Sequence, residues 1–391
     1  MACKPEDVPK FLSYWLPNSN LNREANARKL FQQLLQQNPD SVRIVALAIG
    51  VPTFDGADFL QPKKVETDLF NLFLEEKTKL GKSNVKTVAW FEGVFIAHPT
   101  NLIKDYFKKE DYIYSKDDVK IHSNPNNPII GLDTNNTTGS YLLDPLNPIV
   151  QEQLMKLVKN ISSRSDISAI EFDDHFSILT KDQQKQENGI SPRSLILKKH
   201  PAPKGVTDDV YLKSELTKLL KRIKAAANKK PIYISINSSF KEAQDSAQDI
   251  DTWVKENLVD KVNVQVYRPD FKSFERVTGQ AVESAKKLGL NELSIGVINR
   301  ASKKDVTLEV LREKSKYLNI IRNSSGINVY GVGFDFQVFY SRCRPVPINP
   351  KTRKKAYSGN CFSFDDLAAD GSLCGYRAAL LKPGGFDYLD T

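Results

Sequence analysis

Two short segments decide the fold: Pro231-Ile-Tyr-Ile-Ser-Ile-Asn237 and Val262-Asn-Val-Gln-Val-Tyr267. In the first, Ile232, Ile234 and Ile236 share one parity, with Tyr233, Ser235 and Asn237 on the other. In the second, Val262, Val264 and Val266 oppose Asn263, Gln265 and Tyr267. Side chains alternate across a strand, so each segment has an aliphatic face and a polar face. Helices present aliphatic surface, which draws the aliphatic faces outward and leaves the polar faces to an enclosed interior and its mouth. Strands built this way suit a barrel ringed by helices.

The same rhythm extends in both directions. Strands are expected at Val8 to Leu16, Val42 to Ile49, Val85 to Ile96, Ile167 to Asp173, Leu293 to Ile298 and Ile327 to Phe334. Amphipathic helices are expected through Ala25-Leu30-Leu34, and over Val65 to Leu80, Pro148 to Ser162 and Tyr211 to Ala227. Eight strands alternating with helices predict a single (β/α)8 barrel over residues 1–341. Two polar excursions interrupt it, His98 to Leu143 after the third strand and Lys181 to Asp209 after the fourth. The first carries Tyr106, Tyr112 and Tyr114 among charges and is expected to cover part of the mouth. Arg344-Pro-Val-Pro-Ile-Asn-Pro350 reads as a linker. Residues 342–391 hold too few apolar side chains for a core, and are expected to pack on the barrel or stay mobile.

Composition narrows the class. Of 391 residues, 40% are hydrophobic and 26% charged, the balance of a globular protein. No apolar run approaches the roughly twenty residues that a membrane span requires. The opening Met1-Ala-Cys-Lys-Pro-Glu-Asp7 has no apolar stretch of a signal peptide, so the expected location is the cytoplasm unless another export route carries the chain. Net charge is +9, but the lysines are scattered rather than gathered on one element, which argues against a nucleic-acid partner. Four cysteines are too few for a disulfide framework, and the four histidines lack zinc-site spacing, so neither metal nor cofactor is expected. Oligomeric state is not legible.

Barrel active sites lie at the C-terminal strand ends. The polar side chains placed there are Trp90 and Glu92, Glu171 to His175, Asn237, Gln265 and Tyr267, and Asp335 just past the eighth strand. On strand four Ile170 and Phe172 point outward, while Ala169, Glu171, Asp173 and His175 point inward. Two inward acids one pleat apart are costly to bury without purpose. A mouth of carboxylates, amides and rings suits sugars, which hydrogen-bond at their edges and stack on their C–H faces.

Several longer motifs carry a family resemblance. They are Ala89-Trp-Phe-Glu92, Leu143-Asp-Pro-Leu-Asn-Pro-Ile-Val150 and Ile170-Glu-Phe-Asp-Asp-His-Phe176, then Asp251-Thr-Trp253, Val259-Asp260 and Gln265-Val-Tyr-Arg268. In that order they resemble bacterial, especially cyanobacterial, family-10-like glycosyl hydrolases. A related barrel forms the hydrolase half of poly-N-acetylglucosamine-processing proteins. The resemblance implies a barrel acting on a polysaccharide, with Asp173 and Asp174 at its catalytic centre and Trp90, Gln265 and Tyr267 lining a glycan groove. Departures occur at Ser165-Asp-Ile-Ser-Ala-Ile170, at Glu171 and at Ser177-Ile-Leu-Thr180.

The expected function is therefore a glycoside hydrolase on a polysaccharide, an amino-sugar glycan among the candidates, with Asp173, Asp174 and Glu171 as the catalytic carboxyl groups. Inward-facing Asp173 is the expected proton donor, with Asp174 turned the other way at the rim. Strand seven ends without a carboxylate, so the second group would be Glu92, Asp335 or a substrate's 2-acetamido group. The alternatives are a carbohydrate-binding barrel without turnover and an assembly scaffold.

Overall fold

The computed structural model describes residues 11–16, 24–48, 51–54, 68–97, 114–115, 118–119, 129–132, 141–178, 192–298, 300–301 and 304–334. Eight parallel strands form its centre: β1 (Ser13–Leu16), β2 (Ser41–Ala48), β3 (Lys86–Glu92), β4 (Ile167–Phe172), β5 (Ile232–Ile236), β6 (Lys261–Gln265), β7 (Glu292–Val297) and β8 (Asn328–Phe334). Each pairs with the next in sequence, and β1 pairs with both β8 and β2, so the sheet closes. Closure leaves no edge strand within the ring. This is the (β/α)8 barrel that the alternation predicts.

Helices fill the crossovers: α1 (Glu24–Leu35), α2 (Leu69–Lys79), α3 (Pro148–Ser162), α4 (Pro192–Lys199), α5 (Asp208–Ala226), α6 (Phe240–Asp245), α7 (Ile250–Lys255), α8 (Phe271–Lys287) and α9 (Leu308–Ser324). Their starts are written locally. Asp68, Asn147, Thr207, Asp270 and Thr307 each accept a backbone N–H from the first turn of α2, α3, α5, α8 and α9. Such caps supply acceptors for otherwise unpaired helix N–H groups. Thr207 moves the start of α5 upstream of the expected Tyr211. The aliphatic faces of β5 and β6 are fully buried in one core with Leu216, Leu220 and Ile223 of α5 and Phe274 of α8. No described helix is long and apolar enough to cross a membrane.

Two elements differ from expectation. The third strand ends at Glu92 because Gly93 adopts φ +64°, a left-handed turn that glycine tolerates without a Cβ clash. The chain then runs through Ile96–Ala97, antiparallel to Tyr141–Leu143, which pairs in turn with Ile129–Leu132. Within the second excursion, α4 forms where only a polar stretch is expected, and Lys199 and His200 at its end meet the buried Asp144 at 2.8 Å each. His98, Tyr106, Tyr112 and the 342–391 tail lie outside the described residues.

Inside the ring, the polar parity of the strands forms one network. The Arg43 guanidinium pairs with Glu171, both side chains being almost inaccessible, and donates to Asn263 Oδ1 at 3.3 Å. Glu171 Oε1 also accepts from Trp15 Nε1 at 2.7 Å and Ser235 Oγ at 2.9 Å. Above this layer the rings of Trp15, Trp90 and Phe334 meet at centroid distances of 6.2–6.3 Å. Gly296 makes room for them, since a Cβ there would sit 2.8 Å from the Trp15 ring.

Candidate active site

β4 ends at Phe172, and the next three residues leave the strand in a turn at the C-terminal mouth. Asp173 stays tied to the sheet, its N–H donating to Phe91 O at 3.2 Å. Its carboxylate is held on both oxygens: Oδ2 accepts from Gly93 N at 2.9 Å and lies 2.8 Å from His175 Nδ1, while Oδ1 accepts from His175 N at 3.0 Å. The Gly93 turn that ends β3 thus aims its N–H at this acid.

The strand parity that would turn Asp174 away from Asp173 lapses here. Asp174 Oδ1 lies 3.6 Å from the same His175 Nδ1, so one imidazole faces both carboxylates. Alternation holds only while the backbone is extended, and it ends at Phe172. Gln265 Nε2, from the end of β6, donates to Asp174 Oδ1 at 3.0 Å. The two acids differ in access: the Asp173 side chain is 3% exposed, that of Asp174 18%.

Electrostatics sharpen the contrast. Burial raises the Asp174 carboxyl above its ordinary range, opposed by the His175 charge and reinforced by Asp173. Burial likewise pushes Glu92 up to about 7, with the negative charges of Asp173 and Asp174 adding to the effect and His175 opposing it. For His175, burial works against the charged form, but Asp173 and Asp174 outweigh it and lift the imidazole to about 10. The ring is 40% exposed, so water shares this interaction. The mouth therefore favours an imidazolium among carboxyl groups, and a Glu92 that keeps its proton to higher pH than an ordinary glutamate. Asp173, Asp174 and His175 each offer one ligand atom within 4.8 Å of the others, the spacing of a cation site. Both Asp173 oxygens are already engaged by Gly93 and His175.

Other expected site residues fall around this cluster or away from it. Tyr267 lies two residues past β6, its ring 6.0 Å from Phe334, and burial first and then Asp174, Asp173, Glu171 and Glu92 hold its hydroxyl well above the ordinary range. Asn237 is half-buried one residue beyond β5. Trp90 is 3% exposed and packed on Trp15 inside the barrel, so it provides no open platform at the mouth. Its Nε1 has no hydrogen-bond partner. Glu171 sits one layer below the cluster, with both oxygens occupied by Trp15, Ser235 and Arg43. Asp335 and Asn299 lie outside the described residues. The residues missed were Trp15, Arg43 and Gly93, although an arginine within the otherwise apolar Val42-Arg-Ile-Val-Ala-Leu-Ala48 is itself a signal of a buried partner.

A closed (β/α)8 barrel whose strand ends gather carboxyl groups, an imidazole and an amide has the architecture of barrel glycoside hydrolases. Residues 57–307 match the model of the family described as Glycosyl hydrolase-like 10, and the chain belongs to that family. No curated protein matches it significantly. Among solved structures it is similar to the PgaB (BpsB) glycoside hydrolase domain from Bordetella bronchiseptica, at 15% identity and TM-score 0.54 over 85% of this chain and 96% of that one. It is also similar to the alpha-L-fucosidase isoenzyme 2 from Paenibacillus thiaminolyticus, at 11% identity and TM-score 0.49 over 85% of this chain and 48% of that one. A third similarity is to the endo-1,4-beta-mannanase from Rhizomucor miehei, at 9% identity and TM-score 0.49 over 83% and 85%.

Proposed function

We propose that the protein hydrolyses glycosidic bonds of a polysaccharide at the Asp173–Asp174–His175 mouth, with Asp174 as the proton donor. The observation that carries this reading is the unequal treatment of the two acids. Asp173 is closed in by Gly93 and His175, whereas Asp174 is more accessible and has its carboxyl raised. A general acid needs both access to the leaving oxygen and a proton near working pH. Asp173 then orients His175 beside the reacting centre. Glu92, lifted to about 7, is a second group able to exchange a proton. In this reading Glu171 anchors the barrel below the site and takes no part in bond cleavage.

The substrate class follows from the resemblance to hydrolase domains of poly-N-acetylglucosamine processing. N-acetylhexosamine oligomers are therefore the first substrates to test. With such sugars the 2-acetamido group supplies a nucleophile from within the substrate, and the protein need not provide one. The deciding experiment is release of reducing ends from labelled oligosaccharides by the wild type, Asp173→Asn and Asp174→Asn. Turnover that falls furthest in Asp174→Asn supports the assignment. Full activity in Asp174→Asn refutes it, and sugar binding without wild-type turnover would make the protein a carbohydrate-binding barrel.

A further inference from the structure

At the pole opposite the acidic mouth, the N-terminal ends of the strands enclose a cavity of about 450 Å³. It falls within the usual range for small-molecule sites, roughly 300–1,000 Å³. Its position is unusual, because the N-terminal face of such a barrel ordinarily serves stability alone. We infer that this cavity is a second ligand site, separate from the acidic mouth, that takes a neutral polyhydroxylated molecule of monosaccharide size.

Charge is the first argument. Arg43, Lys86 and Lys261 line the cavity against Asp40, Asp260 and Glu292. Most of these are spoken for: Arg43 pairs with Glu171, Lys261 with Glu292 at 2.8 Å, and Asp260 with Lys224. The lining is balanced and offers no cluster of one sign to hold an anion or a cation. A neutral guest keeps these pairs intact, whereas an ion must compete with them.

Chemistry of the walls is the second. Ser13, Ser41 and Ser294 contribute hydroxyls, and Tyr233 and Tyr330 contribute rings. Serine hydroxyls can donate to or accept from sugar hydroxyls, carboxylates accept from them, and rings cover sugar C–H faces. Lys261 Nζ lies 5.1 Å from the Tyr233 ring centroid and 4.5 Å from that of Tyr330, so one half-buried cation bridges both walls. Ser294 is opposite Tyr330 on β8 and Asn263 on β6, and its hydroxyl is buried, 1% of the residue being exposed, with no hydrogen-bond partner in the protein. An unpartnered hydroxyl in this lining is the group that a guest hydroxyl would complete.

The test is calorimetric titration of the full chain with glucose, galactose and N-acetylglucosamine, each to about 20 mM, a range that reaches millimolar affinities. Wild type, Asp174→Asn, Ser294→Ala and Ser41→Leu are compared, with sodium phosphate and sodium acetate as charged controls. Ser294→Ala removes a hydroxyl that bonds to nothing in the protein, so folding is expected to survive, and thermal melting checks both cavity variants. The expected result is a saturable sugar that binds wild type and Asp174→Asn alike. Its affinity should be about fivefold weaker in Ser294→Ala, the order of one hydrogen bond, and be lost in Ser41→Leu. Should Ser41→Leu melt early, Ser294→Ala alone decides. The inference is overturned if no sugar binds, if Asp174→Asn abolishes binding while Ser294→Ala does not, or if only the charged controls bind. Since Asp174→Asn is inactive under the proposed function yet retains this site, the two readings fail separately.

Discussion

Glu171 and Asp174 stand three residues apart, one inside the barrel and one at its mouth, and the protein treats them in opposite ways. Glu171 is fully buried and fully answered: Arg43 neutralises it, and Trp15 and Ser235 donate to it. Asp174 is more accessible, yet its carboxyl is raised, with Gln265 as one donor and a like charge at Asp173 nearby. Burial alone therefore does not mark a reacting acid. What distinguishes the two is how many donors answer the charge.

Asp174→Asn tests this contrast hardest. Turnover is expected to fall by about 10²–10⁴-fold, the usual contribution of a general acid, while the urea midpoint stays level or rises as like charges separate. An equal loss in Glu171→Gln, corrected for folded fraction, would erase the distinction. Glu171→Gln should instead cost about 3 kcal/mol of stability, because it leaves Arg43 buried with no counter-charge. Equilibrium unfolding in urea would read that loss. A stability change near zero would mean that water reaches Arg43.

Dependence on pH gives a third measure. Glu92, raised to about 7, holds its proton more tightly in the folded chain than in the unfolded one. Its stabilisation is complete below its ordinary value of 4.5 and is lost as pH rises toward 7. His175, lifted to about 10, adds stability that is full below 6.5 and disappears as pH climbs through 10. Both slopes descend with pH. Thermal melting of Glu92→Gln should flatten the lower window and that of His175→Asn the upper, and unchanged slopes would deny the coupling. The smallest effect belongs to Gln265→Ala. Losing a donor to Asp174 should raise its carboxyl further, move the alkaline limb of the rate profile to higher pH and reduce turnover by about tenfold or less.

Much of this was legible in the chain. Isoleucine–polar and valine–polar alternation at 231–237 and 262–267 displayed both faces of the barrel wall, because burial on helices admits only one solution. The acids after β4 were legible because Glu171 and Asp173 repeat at a strand period. Where the strand stops was not, and Phe172 ends it one residue before the parity matters most. The fate of Trp90 was equally hidden. Its burial depends on Trp15 and on the space at Gly296, which lie far apart in sequence and meet only when the ring closes.

That packing has a further consequence. Trp15, Trp90 and Phe334 pack together inside the barrel, with Gly296 ceding the volume of a side chain so that the plug fits. Among the described residues, these rings thus fill the barrel between the acidic mouth and the cavity at the N-terminal strand ends. A guest in that cavity has those rings between it and the acids, so the two ends of the barrel are served from opposite sides.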